Sequence, residues 1–110
     1  MFFNNVNGIT VKSNGMEFLG MENKIAFMSC VELVLVKRDD TNYNLVLAKL
    51  QSLYNHGILE CLDNPERLRT VLKEVYNKGY NYVLDDISAE TKKLVDMDKF
   101  KDNFFKVMES

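Results

Sequence analysis

Apolar residues return every three or four positions from Asn42 to Leu62, the longest sustained run of helical spacing in the chain. Tyr43, Val46, Leu47, Leu50, Leu53, Tyr54, Gly57, Ile58 and Cys61 share one broad arc of this predicted helix. Leu45, Ala48, Ser52 and Leu59 form a weaker stripe on the opposite side. Asp40 or Thr41 is placed to cap the start. A helix apolar on two sides is sandwiched between layers or lies against another molecule. Gly57 falls on the main arc, where it costs roughly 1 kcal/mol against alanine. It therefore implies either a close neighbour or an early end to the helix.

Upstream, the period changes. Ile9 and Val11 alternate with Thr10 and Lys12, Asn14-Gly15 offers a tight turn, and Met16, Phe18 and Gly20 follow. This predicts a hairpin of Ile9–Ser13 with Met16–Gly20. The run from Lys24 to Asp40 supports two readings. In one, a strand Lys24–Met28 precedes a buried helix Cys30–Lys37, with Ser29 and Glu32 as a capping box. In the other, a single long strand continues through Val36.

Downstream, the pattern is helical again. Asn64-Pro65-Glu66 is a helix start, with the only proline at the first helical position and an acid beside it. The helix Pro65–Lys78 carries one stripe of Leu68, Val71, Leu72, Val75 and Tyr76, and Gly79 follows its end. Tyr80–Ile87 fits either a short strand, through Tyr80, Tyr82 and Leu84, or a helical turn, through Val83 and Ile87. Ser88 would start a short helix. Asp96 or Asp98 would start a last one, running to about Met108 with Phe100 and Phe104 inward. Strands followed by helices predict an α+β fold: a small N-terminal antiparallel sheet covered by three or four helices, in one domain spanning residues 1–110.

Composition narrows the class. The chain has 110 residues, 46% apolar and 27% charged, which suits a globular domain rather than disorder. A net charge of −2 gives no global pull towards nucleic acid or anionic lipid. The strongest apolar run, Ile25 to Val36, contains Glu32 and is too short to span a bilayer. The start, MFFNNVNG, lacks the basic segment and apolar run of a secretory signal. Cys30 and Cys61 form no CxxC pair and read as buried thiols. A cytoplasmic protein without membrane contact is the expectation.

Candidate chemistry is sparse. His56 is the only histidine, with Glu60 one helical turn away; as a proton-transfer residue it would need Cys30 or Cys61 beside it, and nothing in the spacing puts them there. Asp85, Asp86, Glu90, Asp96, Asp98 and Asp102 are interleaved with lysines. They read as helix caps and a solvated face rather than a cation site. Glycine-rich phosphate loops and the GxSxG and HExxH motifs are absent. No cofactor, metal or enzymatic activity is therefore expected.

The leading expectation is a small protein-binding module, acting as a homodimer or as an inhibitor or adaptor of a larger protein. By analogy alone this resembles accessory proteins of phages and mobile elements. Leu45, Ala48 and Leu59 on the back stripe, with Tyr43, Tyr80 and Tyr82 as anchors, are the candidate contact residues. One alternative is a nucleic-acid-binding regulator in which Arg67, Arg69, Lys73 and Lys78 give the Pro65 helix a basic side, in an arrangement that resembles a helix-turn-helix. A small-ligand sensor, with a pocket between sheet and central helix, is another.

Overall fold

A computed structural model describes the backbone of residues 11–110 and the side chains of residues 23–110. Every regular element among the described residues is helical, so the α+β expectation is overturned in favour of a small helical bundle. The helices are α1 (Val11–Arg38), α2 (Asp40–Tyr54), α3 (Pro65–Tyr76), α4 (Tyr80–Thr91) and α5 (Asp98–Glu109). Short 3-10 turns occupy Leu59–Leu62 and Asn77–Gly79. α1 packs on α4 and α2, α2 on α3, and α3 on α5.

The largest correction is α1. Met16–Gly20, expected as a strand, lies within this helix, as do Lys24–Met28 and the segment from Cys30 to Lys37. Of the other hairpin arm, Ile9 and Thr10 lie outside the described residues, and Val11–Ser13 is helical. The reason is visible in what α1 buries. Phe27, Met28, Val31, Val34 and Leu35 are buried at helical spacing, whereas Ile25, Leu33 and Val36 point outward. Neighbours Phe27 and Met28 would face opposite sides of a strand, but on a helix they share a face. Burial of that face outweighs the strand preference of the β-branched residues, on the order of 1 kcal/mol or less. Ser29 is exposed in mid-helix and caps nothing.

Asp39 alone separates α1 from α2. It is extended (φ −174°, ψ 116°), and its carboxylate accepts from the amides of Thr41 (2.8 Å) and Asn42 (3.2 Å). The cap is thus Asp39, one residue before Asp40 and two before Thr41, the expected candidates. Just inside α2, the Tyr43 hydroxyl donates to Glu32 Oε2 on α1 at 2.6 Å, which clasps the two helices at their turn.

The expected Asn42–Leu62 helix is broken. α2 stops at Tyr54, where Asn55 turns left-handed (φ 60°, ψ 39°) and its amide closes on the Gln51 carbonyl. Asparagine is among the few residues that take this conformation cheaply. Gly57 does not make the bend. α3 starts as expected, with Pro65 in the first turn, although the Asn64 side chain makes no capping bond. It ends at Tyr76 because Asn77 takes φ 52°. Tyr80–Ile87 is helical, so α4 begins at Tyr80 and runs straight through Ser88.

The core runs from ring to ring. Phe27 on α1 meets Phe100, Phe104 and Phe105 on α5, with centroids 5.1, 4.9 and 6.2 Å away, all edge-on. α3 and α4 hold the far end of α5. The Tyr80 hydroxyl donates to the Met108 carbonyl (2.6 Å), Arg69 donates to the Val107 carbonyl (3.0 Å) and the Ser110 hydroxyl (2.6 Å), and Lys73 donates to the Ser110 carbonyl (3.0 Å). These bonds satisfy carbonyls that a helix end otherwise leaves unpaired.

Candidate partner-binding surface

Leu45, Lys49 and Leu53 stand four residues apart and so form one line along α2. Leu45 is 43% exposed and Leu53 55%. Between them Lys49 reaches across to Glu74 on α3, at 3.3 Å. The result is an apolar edge with a paired charge at its middle. Leu53 is a correction, since its spacing put it with the core. It sits at the side of the buried arc, close to where α2 stops, and the interruption leaves no following turn to cover it. Ala48 is exposed on the back of α2, and Leu59, in the 3-10 turn, is 44% exposed. Leu45 and Leu59 are thus only partly covered by the described part of the chain.

The three tyrosines separate. Tyr82 is 68% exposed on α4, Tyr43 is half-buried in its bond to Glu32, and Tyr80 is buried beneath the end of α5. Tyr80 is therefore a core residue and not a contact residue. A second exposed apolar line was not anticipated: Ile25, Leu33 and Val36 along the outer side of α1. Placing Ile25–Val36 on a helical wheel would have revealed it.

The basic side of α3 is largely occupied by internal contacts. Arg69 and Lys73 hold α5, Lys73 also lies over the Tyr80 ring (5.5 Å), and the Arg67 guanidinium sits 5.2 Å from the Tyr54 ring centroid. Lys78 is exposed in the turn beyond the helix. The four cations do not form a continuous face.

The bend after α2 brings His56 and Cys61 to one acceptor, against the expectation that they lie apart. His56 Nδ1 is 2.9 Å from the Gly57 carbonyl oxygen, and the Cys61 thiol donates to the same oxygen at 3.8 Å. Glu60 accepts from the Gly57 amide at 3.1 Å, rather than meeting His56 as helical spacing suggested. The His56 ring stacks on Tyr54 at 5.7 Å. Burial pushes the Cys61 thiol up to about 12, with the Glu60 charge adding and Arg67 opposing. A thiol held protonated and aimed at a carbonyl is not an activated nucleophile.

The acidic residues also find local roles. Asp86 pairs with Arg38 across α1 and α4, and Glu90 pairs with Lys93 at 2.7 Å. Asp96 supplies a left-handed turn (φ 63°), and Asp98 stands in the first turn of α5. Among the described residues no group of three or more histidine, cysteine, aspartate or glutamate side chains could hold a metal ion. The pocket expected between sheet and central helix has no sheet to form it. An open hollow of ≈ 400 Å³ lies instead between the side chains of Asn23 and Lys24 and the segment from Asp96 to Phe100. No described helix is long and apolar enough to cross a membrane.

Comparison with known proteins finds no matching family model, no matching curated protein and no matching solved structure.

Proposed function

We propose that the chain is a protein-binding helical module that docks through the α2 edge, by self-association or on a larger target. One observation carries this reading: Leu45 and Leu53 form an exposed apolar line on a helix whose other side already serves the core. A specific interface takes about 800 Å² from each partner. The line would be its centre, with the Lys49–Glu74 pair at its middle, Ala48 beside it, and Ser52 and Thr70 in the polar rim. The free thiols of Cys30 and Cys61 suit a reducing compartment such as the cytoplasm. The nucleic-acid reading has less support, since Arg69 and Lys73 bond to the end of α5.

The test pairs Leu45→Lys/Leu53→Lys with the wild type. Light scattering across concentration and chemical cross-linking in extracts of the source cell read self-association and hetero-association respectively. Association that the double variant loses, at unchanged helical content and melting temperature, supports the proposal. A wild type that is monomeric throughout, with a cross-linking pattern identical to the variant's, rejects it.

A further inference from the structure

Val46, Leu50, Tyr54, Ile58 and Cys61 would fall within about 120° of one another, on one side of a single continuous helix. The structure bends the chain in the middle of that series, yet buries Val46, Leu50, Ile58 and Cys61 and half-buries Tyr54. Local pattern and tertiary path therefore disagree over one short segment, from Asn55 to Ile58. Such disagreement marks a place where two conformations compete.

A single left-handed residue, Asn55, makes the turn. Besides the contacts of His56 and Cys61 with the Gly57 carbonyl, two exposed bonds brace it, from Gln51 Nε2 to Asn55 Oδ1 (2.7 Å) and from the Gly57 amide to Glu60 Oε1 (3.1 Å). One cost is visible inside it: His56 Nε2 is buried without a hydrogen-bond partner among the described residues. Gly57 is not required by the bend, and in a straight helix it costs roughly 1 kcal/mol against alanine. A Cβ there would make only ordinary contact, with Glu60 Oε1 at 3.4 Å.

Straightening would restore the helical backbone bonds of residues 51–62 and carry α3–α5 away from α1–α2 of the same chain. The surfaces left behind are large and specific: α1 against α4, α2 against α3, and Phe27 against the rings of α5. Only a second copy of this chain carries their complements. We infer that the Asn55–Ile58 elbow is an exchange hinge, through which two copies straighten and each packs its α3–α5 on the other's α1–α2. Short connections that oppose a continuous helix favour such exchange. Lys49–Glu74 and Arg38–Asp86 would then re-form between copies. The exchange does not depend on the α2 edge, because Leu45 and Leu53 stay outward in both forms.

The experiment refolds the full chain from denaturant at high concentration and separates monomer from dimer by size exclusion with light scattering. Asn55→Ala/Gly57→Ala favours the straight helix and raises the dimer-to-monomer ratio at least ten-fold over wild type. Asn55→Gly eases the left-handed turn, retains the monomer fold and lowers that ratio. The dimer persists for hours after dilution, since unpairing requires unfolding. Mixed Lys49→Glu and Glu74→Lys chains, one mass-tagged, form heterodimers above the statistical half, because exchange pairs opposite charges at both junctions. A double-alanine chain that refolds only as monomer, a dimer that dissociates on dilution within seconds, or a statistical heterodimer fraction would each overturn the inference.

Discussion

Replacing Phe27 with alanine empties the centre of the aromatic cluster that joins α1 to α5. Phe27 is fully buried and meets three rings edge-on. Removing a core phenylalanine costs about 3–5 kcal/mol, and aromatic pairs of this geometry each add roughly 0.5–1.5 kcal/mol beyond buried area. We therefore expect a loss of about 4 kcal/mol, a large part of the ~5–15 kcal/mol that holds a domain folded. Ile25→Ala is the control. Two residues apart on a helix is roughly 160° around its axis, so Ile25 faces outward, and its truncation should cost about 1 kcal/mol or less. The same two positions on a strand would share a face and lose stability together. Urea titration followed by circular dichroism at 222 nm measures both. With a urea dependence of about 2 kcal/mol per molar, the midpoint should fall by about 2 M for Phe27→Ala and by no more than about 0.5 M for Ile25→Ala. Equal losses at the two positions would refute the helical placement of this segment.

Two further outcomes follow from buried or bonded groups. The bond to Glu32, with burial and the Glu32 charge, pushes the Tyr43 phenol up to about 12, and burial pushes Tyr80 up to about 12 against the opposing charge of Arg69. The native state holds these protons where the unfolded chain releases them, so both contributions are complete below pH 10 and are lost as pH rises from 10 towards 12. Phenolate absorbance should show at least two of the five tyrosines still protonated near pH 11 in the folded chain, and Glu32→Gln should bring one of them down; five tyrosines titrating together near 10 would count against the clasp. With an aromatic disulfide reagent at pH 8, the partly exposed Cys30 should react while Cys61 waits for unfolding, and equal rates would show that Cys61 is not buried.

The parts of the fold that were legible in the sequence are those where one signal stood without a rival. α3 has the only proline at its start and a single stripe of Leu68, Val71 and Leu72, all buried. α5 shows the same clarity through Phe104 and Met108. α1 was hidden because its outward positions, Ile25, Leu33 and Val36, are also apolar, so the run shows no period. The end of α2 was hidden for the opposite reason: Ile58 and Cys61 keep the helical phase through a bend that only Asn55 makes. Among the candidate residues, Leu45 and Leu59 could be read as surplus to the core, but Tyr80 could not be assigned. A buried tyrosine and an interface tyrosine show the same residue in sequence. What distinguishes them here is a hydrogen bond to the Met108 carbonyl, 28 residues further along the chain.

The Lys49–Glu74 pair shapes what can dock on the α2 edge. An exposed pair of this kind adds less than about 1 kcal/mol to the fold, since water screens it. It can therefore be rearranged at small cost. Docking would bury it, and a buried pair needs its remaining donors and acceptors satisfied if desolvation is not to exceed the attraction. A partner that seats an apolar side chain against Leu45 and another against Leu53 must then present a polar group between them, opposite Lys49 and Glu74. A purely apolar face would leave that pair stranded. The edge thus favours a partner whose contact line repeats its own order, apolar, polar, apolar, at helical spacing.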